Sequence, residues 1–267
     1  MRQRKAVASK ALKASAFAVS NVGKLREKNE DNFYLASKIV NMKTVFSHGI
    51  APSPQFVCCV CDGMGGAFAG ELASKRAVET IRNREKHLLR AQLSPAQTQE
   101  VIFEANRRVC DEQEKRRAKM GSTIVLFGFQ NGAVSIANLG DSRAYCYVDN
   151  KLSQLTTDHT QAQLMVRAGV MSAQQAAHAR ESHALTQYLG IDTAQMLIEP
   201  EFRNFQAQKG DLYLLCSDGL YDMVSDAQIA AVLAQHKALP DTANALVQAA
   251  LDNGGMDNIT VIVIQIH

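Results

Sequence analysis

Short apolar runs bounded by glycine, asparagine or aspartate recur along most of the chain. They are rich in valine, isoleucine, phenylalanine and tyrosine, which is typical of β-strands. The pattern predicts strands at about 15–20, 56–61, 123–129, 133–137, 144–148, 212–216 and 259–266. Gln130-Asn131-Gly132 and Asp149-Asn150 have the composition of hairpin turns, so their flanking strands are predicted to be antiparallel. Residues 46–54 contain glycine and two prolines and are predicted to form a surface loop.

Apolar positions at helical spacing predict four helices. Over 70–90 and over 96–117, apolar residues recur every three or four positions among charged ones. The segments around Ile229 and Val247 show the same spacing. Strands in groups with helices in pairs indicate an α+β sandwich and not an alternating Rossmann pattern.

Composition narrows the class of protein. The 267 residues are 46% apolar and 21% charged, which suits one folded domain. The net charge of +3 is too small to indicate a nucleic-acid partner, and no stretch approaches 18 consecutive apolar residues, so we expect no membrane span. We interpret 1–14 as a basic lead-in rather than a targeting signal, because lysines interrupt any apolar run, and expect a single domain over 15–267.

The six cysteines include no C-x-x-C pair, which leaves a zinc ribbon or a redox site without support. We interpret them as buried side chains in a reducing compartment and expect a cytoplasmic monomer. The glycine-rich segment 62–70 lacks the Gly-Lys-Ser/Thr of a phosphate-binding P-loop, and no G-x-S-x-G motif is present.

Acidic residues repeatedly lie at the ends of predicted strands, next to glycine or asparagine. They occur in Asn29-Glu30-Asp31-Asn32, Asp62-Gly63, Gly140-Asp141, Asp218-Gly219 and Asp257-Asn258. A single Asp-Gly pair is most simply a turn or a helix cap. Five such sites together predict instead that carboxylates converge on one cleft. Their repulsion then requires cations, and oxygen-only ligands favour Mg²⁺ or Mn²⁺.

These motifs together resemble the metal-dependent protein serine/threonine phosphatases, the PPM or type-2C family. They appear in family order from about Ser15 to the C-terminus: Arg26-x-x-Asn29-Glu30-Asp31, Asp62-Gly63-Met64-Gly65-Gly66, Gly121-Ser122-Thr123, Gly140-Asp141-Ser142-Arg143, Leu155-Thr156-Thr157-Asp158-His159, Ser217-Asp218-Gly219-Leu220 and Asp257-Asn258-x-Thr260. The resemblance implies a four-layer α-β-β-α sandwich with two central antiparallel sheets. Met64 stands where eukaryotic members carry a histidine, which resembles the bacterial-type members.

The resemblance also implies the roles of the site residues. Asp62 would bridge two ions, Mn²⁺ or Mg²⁺, and Arg26 would clamp the phosphate. The implied metal ligands are Asp62, the Gly63 carbonyl, Asp218, Asp257, Glu30, Asp31 and, for a third, weaker ion, Asp141. A water held by both ions would attack the phosphorus of phosphoserine or phosphothreonine directly.

The leaving serine or threonine oxygen needs an acid, which Met64 cannot provide. A metal-bound water is the first candidate and His159 the second. Ser122 and Thr123 are expected to order the cleft by hydrogen bonding rather than to act as nucleophiles.

Residues 160–189 resemble the family's variable flap, with a helix, a break at Gly169 and a second helix, and we expect substrate choice to reside there. The implied partners are phosphoproteins and a cognate serine/threonine kinase. Two alternatives stay open: a non-catalytic regulatory domain of the same fold, and a hydrolase of a small phosphate ester.

Overall fold

Fourteen strands and seven α-helices make up the part of the chain that the computed structural model describes, residues 12–36, 38–39, 45–65, 69–90, 92–176, 179–235 and 237–267. Residues 1–11 of the predicted lead-in and Gly66 of the Asp62 motif lie outside it. The strands are β1 (Ala14–Asn21), β2 (Asn32–Leu35), β3 (Lys38–Ile39), β4 (Val45–Ser53), β5 (Gln55–Cys61), β6 (Gly63–Gly65), β7 (Met120–Ser122), β8 (Ile124–Gln130), β9 (Ala133–Leu139), β10 (Arg143–Val148), β11 (Lys151–Gln154), β12 (Glu201–Gln206), β13 (Leu212–Cys216) and β14 (Ile259–Ile266). The helices are α1 (Ala69–Arg90), α2 (Pro95–Arg116), α3 (Gln161–Arg167), α4 (Ala173–Ala176), α5 (Asp218–Tyr221), α6 (Asp226–Leu233) and α7 (Leu239–Asp252), with a 3-10 helix at Arg180–His183.

Two six-stranded sheets form the centre of the fold. The first has the order β11-β10-β13-β14-β1-β4 and the second β12-β9-β8-β5-β2-β3, and every pairing within them is antiparallel. Strands β6 and β7 form a separate two-stranded ladder beside them. Helices α1 and α2 pack on the outer face of the second sheet, and α6 and α7 on that of the first. The predicted four-layer α-β-β-α order is therefore confirmed.

The inner faces of the two sheets meet in an aromatic core. Phe127 of β8 and Tyr213 of β13 come from different sheets, and their ring centroids lie 5.3 Å apart. Phe56 stacks on Phe127 at 6.2 Å. Tilted and offset aromatic pairs at this spacing add to the stabilisation that burial of the rings provides. This contact fixes the two sheets against each other.

The predicted hairpins are present. Asn131 and Gly132 connect β8 to β9 with φ of 51° and 92°, and Asp149 and Asn150 connect β10 to β11 with φ of 51° and 59°. Positive φ at both central residues matches the right-handed twist of the strands. Asparagine, aspartate and glycine tolerate this conformation best, which is why the composition identified the turns.

The prediction of a loop at 46–54 is wrong, because these residues form most of β4. Among the described residues, strand β4 pairs only with β1, at the edge of the first sheet, and its residues alternate between exposed and half-buried positions. A Cβ at Gly49 would lie 2.6 Å from the Phe17 ring, so glycine allows the close approach of the two strands. Edge strands tolerate polar residues and proline, so composition alone suggested a loop.

We expect Phe127→Ala to lower the free energy of unfolding by about 3–5 kcal/mol, because the fully buried ring joins the two sheets. Urea denaturation followed by circular dichroism measures the change. Phe103→Ala, at a ring that is 36% exposed on α2, is the matched control and should cost less than about 1 kcal/mol. Equal losses in the two variants would contradict the assigned core.

Candidate active site

A cleft of about 220 Å³ opens at the end of the sandwich where β5, β13 and β14 bring their acidic residues together. Its lining residues are Arg26, Glu30, Asp62, Gly63, Met64, Gly65, Thr123, Asp141, His183, Leu185, Asp218, Asp257 and Asn258. Seven of the eight predicted site residues are in this set. The eighth, Asp31, is not: it is 1% exposed and accepts a hydrogen bond of 2.7 Å from the Ser217 hydroxyl behind the cleft.

Two hydrogen bonds between Asp62 and Thr123 hold Asp62 at the end of β5. The Asp62 backbone N–H donates to the Thr123 hydroxyl at 3.0 Å, and the Thr123 N–H donates to the Asp62 carbonyl at 2.9 Å. The same hydroxyl lies 2.6 Å from that of Ser142, which follows Asp141. Thr123 thus connects two acidic segments of the cleft, in agreement with an ordering role.

Close backbone contacts bring Gly63 and Glu30 to the start of α1. A Cβ at Gly63 would overlap the carbonyl of Gly70, and one at Gly70 would lie 2.9 Å from the carboxyl carbon of Glu30. Burial raises the pKa of Glu30, and the nearby Arg26 and the backbone of Gly70 and Glu71, in the first turn of α1, offset part of this rise. The unpaired N–H groups of a helix start provide that partial offset.

The Arg26 guanidinium lies at the mouth of the cleft. Its Nη2 donates to Asp257 Oδ2 at 2.6 Å, and the two side chains are 53% and 36% exposed. The neighbouring Asn258 side chain donates to the carbonyls of Val22 and Lys28, at 2.9 Å each, and accepts from the Glu30 N–H at 2.7 Å. Asn258 therefore fixes the segment that carries Arg26 against the start of β14.

The buried carboxyl groups in and behind the cleft raise one another's pKa values, because each negative charge makes ionisation of its neighbours less favourable. Burial and then the neighbouring carboxylates raise the pKa of Asp218 to about 6 and that of Asp31 to about 7. The same causes hold the pKa of Asp62 and of Asp141 well above the usual range. Within the described part of the chain, the buried Oδ1 of Asp218 has no hydrogen-bond partner.

This arrangement suits divalent cations. Buried carboxylates accumulate where a cation offsets their repulsion, and here Arg26 and His183 are the only basic side chains among the described lining residues. The atoms that the carboxylates and the Gly63 carbonyl could offer to a metal ion are all oxygens, and oxygen atoms are the ligands that Mn²⁺ and Mg²⁺ prefer. The unpartnered Asp218 oxygen is an available ligand atom. The residues present therefore fit the metal ions that the sequence predicted.

The histidine that lines the cleft is not the one that the sequence singled out. The Nδ1 of His159 accepts the Gly140 N–H at 3.1 Å, and His159 is not among the lining residues. His183 reaches the cleft from the 3-10 helix, and its ring comes within 4.8 Å of carboxylate oxygens of Asp218 and Asp222. No motif marks His183, because its position depends on how residues 160–189 fold back.

Comparison with known proteins identifies the family. A family profile described as "Protein phosphatase 2C" matches residues 46–253, most of the chain. The chain belongs to the protein phosphatase 2C family. The predicted family and the enzyme class, protein serine/threonine phosphatase, are confirmed.

Two relatives and two solved structures illustrate the similarity. The chain is 32% identical to the serine/threonine phosphatase stp of Listeria innocua, over 91% of this chain and 92% of that one. It is 30% identical to the serine/threonine protein phosphatase PstP of Mycobacterium tuberculosis, over 92% of this chain and 44% of that one. The crystal structure of M. tuberculosis PstP/Ppp gives a TM-score of 0.79 at 29% identity, covering 95% of this chain and 98% of that one.

A structure of the PstP catalytic domain in complex with two manganese ions gives a TM-score of 0.77 at 28% identity, covering 96% of this chain and 99% of that one. Among the described residues of our chain, no helix has the length and apolar character needed to cross a membrane.

In EDTA, we expect the free energy of unfolding to fall by on the order of 5 kcal/mol from pH 4 to pH 7. The raised pKa values of Asp218 and Asp31 mean that the folded chain keeps protons that the unfolded chain has lost, so stability decreases as pH rises through that window. Urea denaturation at several pH values measures it.

Asp31→Asn should reduce this pH dependence, because a neutral amide replaces a buried acid. Asp111→Asn, at an exposed position of α2, is the control and should retain the wild-type slope. A stability that rises with pH over the same window would contradict the assigned electrostatics.

Proposed function

We propose that the chain hydrolyses phosphoserine and phosphothreonine in proteins, at the carboxylate cleft and with Mn²⁺ or Mg²⁺. The observation that carries the proposal is the meeting of Asp62, Asp218 and Asp257, from strands of both sheets, beside Arg26. Such a site suits attack by water on a phosphate ester, because it combines cation ligands with a guanidinium that recognises phosphoryl oxygens.

Each acidic residue has a proposed task. Asp62 would be a ligand of both ions and the Gly63 carbonyl of one of them, and Asp218 and Asp257 would complete one set of ligands. Glu30 would serve the other ion, and the buried Asp31 would act behind it, through water. Two bound cations would lower the pKa of a water molecule and offset the charge of the phosphoryl oxygens.

Asp141 is the proposed ligand of a third, weaker ion. The hydroxyl of Tyr221 donates to the Asp141 carbonyl at 3.1 Å, and the Arg143 guanidinium lies 3.6 Å from the centroid of the Tyr221 ring. Arg143 in turn donates to Asp158 at 2.6 Å. This chain of contacts would hold the Asp141 carboxyl at the cleft.

Arg26 would bind the phosphate. Its side chain is more than half exposed at the mouth, so a phosphoryl group can reach the guanidinium without moving the backbone. A planar guanidinium donates two parallel hydrogen bonds to a phosphoryl group, which fixes the orientation of the phosphorus for attack from the carboxylate side.

The proton for the leaving oxygen is assigned to water in the cleft. His159 is not proposed as the acid, because its Nδ1 already accepts the Gly140 N–H and its ring does not line the cleft. Met64 lines the cleft but carries no proton to donate.

The segment 160–189 is proposed to select the substrate. It contributes His183 and Leu185 to the wall of the cleft. The proposed partners are phosphoproteins, including the products of a cognate serine/threonine kinase. A regulatory domain without activity would be expected to lack the metal carboxylates, and here they converge. A small phosphate ester as substrate is distinguished by the experiment below.

With purified protein and a phosphothreonine peptide, we expect phosphate release that requires Mn²⁺ or Mg²⁺ and stops in EDTA. Asp62→Asn should lower kcat/KM by at least about a hundredfold, because even partners one step removed from a metal cost 10–100-fold when lost. Asp192→Asn, at an exposed surface position, should keep the wild-type rate. Hydrolysis of free phosphate esters alone would favour the small-substrate alternative, and no hydrolysis by folded protein would favour a binding domain.

Arg26→Lys should reduce kcat/KM on the same peptide by about 10–100-fold, although the positive charge is kept. Lysine presents a point charge in place of a planar fork and loses the geometry that orients the phosphoryl group. Steady-state kinetics at saturating Mn²⁺ measure the change. Wild-type kinetics in this variant would show that Arg26 does not bind the phosphate.

A further inference from the structure

The segment between β1 and β2 carries Arg26, the proposed phosphate ligand, without support from regular secondary structure. Residues 22–31 form neither helix nor strand, and residues 24–28 are exposed. The segment also carries Glu30, a proposed ligand of one cation. Holding such a segment in one conformation costs entropy, which contacts with other parts of the chain have to offset.

The side chain of Asn258 provides such contacts. Its Nδ2 donates to the carbonyls of Val22 and Lys28, at 2.9 Å each, and its Oδ1 accepts from the Glu30 N–H at 2.7 Å. These bonds use both amide hydrogens, and they attach the chain before and after Arg26. Asn258 is 4% exposed, so little water reaches these bonds and losing them would leave buried polar groups without partners.

The backbone of Asn258 contacts the acidic residues of the cleft. Its N–H donates to Asp257 Oδ1 at 2.8 Å, and Arg26 donates to the other oxygen, Oδ2, at 2.6 Å. The Asn258 carbonyl lies so close to Gly219 that a Cβ there would overlap it, and Gly219 directly follows Asp218. One residue therefore connects the segment of Arg26 to two of the proposed cation ligands.

We infer that Asn258 is a positioning residue, which keeps the Arg26 guanidinium in register with the carboxylates that would hold the cations. This inference rests on the proposed function. Attack by water requires the phosphorus to lie at a fixed place relative to these carboxylates, and the guanidinium sets that place. A displacement of about 1 Å can cost on the order of a hundredfold in rate. The Asn258 amide acts on the reaction through Arg26.

Asn258→Ala should lower kcat/KM on the phosphothreonine peptide by about 10–100-fold. It should also weaken the binding of inorganic phosphate by about tenfold, because the guanidinium is no longer held at the phosphate position. Calorimetry with saturating Mg²⁺ measures the phosphate affinity. This second measurement involves no turnover and therefore isolates the binding of the phosphoryl group.

A double-mutant cycle distinguishes positioning from a general loss of structure. When Arg26→Ala is already present, adding Asn258→Ala should weaken phosphate binding by less than about twofold, because the guanidinium that Asn258 positions is gone. Independent effects would multiply instead. A loss of the same factor with and without the Arg26 side chain would overturn the inference.

Asn106→Ala is the matched control. Asn106 is 1% exposed, donates to the Ile191 carbonyl at 2.9 Å and accepts from the Gly190 N–H at 2.7 Å, outside the cleft lining. This variant should lose stability but keep the wild-type phosphate affinity and kcat/KM. Thermal unfolding followed by circular dichroism shows which variants are folded. If Asn258→Ala does not fold, Asn258→Ser, which retains one hydrogen-bonding group, takes its place in the cycle.

Wild-type phosphate affinity in the folded Asn258 variant, or a loss no larger than that in Asn106→Ala, would overturn the inference while the proposed function stands. If the wild-type chain binds phosphate but hydrolyses no phosphopeptide, the proposed protein substrate is wrong, and the phosphate measurements still decide the role of Asn258. A wild-type chain that neither binds phosphate nor hydrolyses the peptide would contradict both.

Discussion

The carboxyl groups gathered at one end of the sandwich repel one another, and their burial raises the free-energy cost of keeping them charged. Asp62 comes from the second sheet, and Asp218 and Asp257 come from the first, so the cluster forms only when the two sheets pack face to face. The aromatic contact between Phe127 and Tyr213 secures that packing. Core stability therefore maintains a site that is itself unfavourable without cations.

Backbone contacts complete the site as much as the acidic side chains do. Gly63 and Gly70 approach so closely that either would clash with a Cβ, and Gly219 approaches the Asn258 carbonyl in the same way. These contacts hold Gly63, which lines the cleft, against the start of α1 and set Asp218 beside the start of β14. The glycines that follow Asp62 and Asp218 in the sequence are needed for this approach, and turn formation alone does not explain them.

Sequence patterns predicted the long, apolar strands and failed at polar edges and at short strands. The ranges 212–216 and 259–266 coincide with β13 and β14, because both strands are central and mostly apolar. The polar edge strands β4 and β12 were missed, β11 was implied only by the turn before it, and the strands of two to four residues, β2, β3, β6 and β7, are too short to show a period. In the site, the acidic positions were predictable from their place at the ends of strands. The burial of Asp31 behind the cleft and the position of His183 in its wall depend on contacts between segments far apart in the chain, which local patterns do not contain.

Calorimetric titration of Mn²⁺ into the metal-stripped chain measures cation binding at the carboxylate cleft without any assumption about the substrate. We expect the wild-type chain to bind at least two ions, and Asp62→Asn, still folded by circular dichroism, to lose this binding. A folded wild-type chain that binds no Mn²⁺ and no Mg²⁺ would show that the carboxylate cleft is not a metal site.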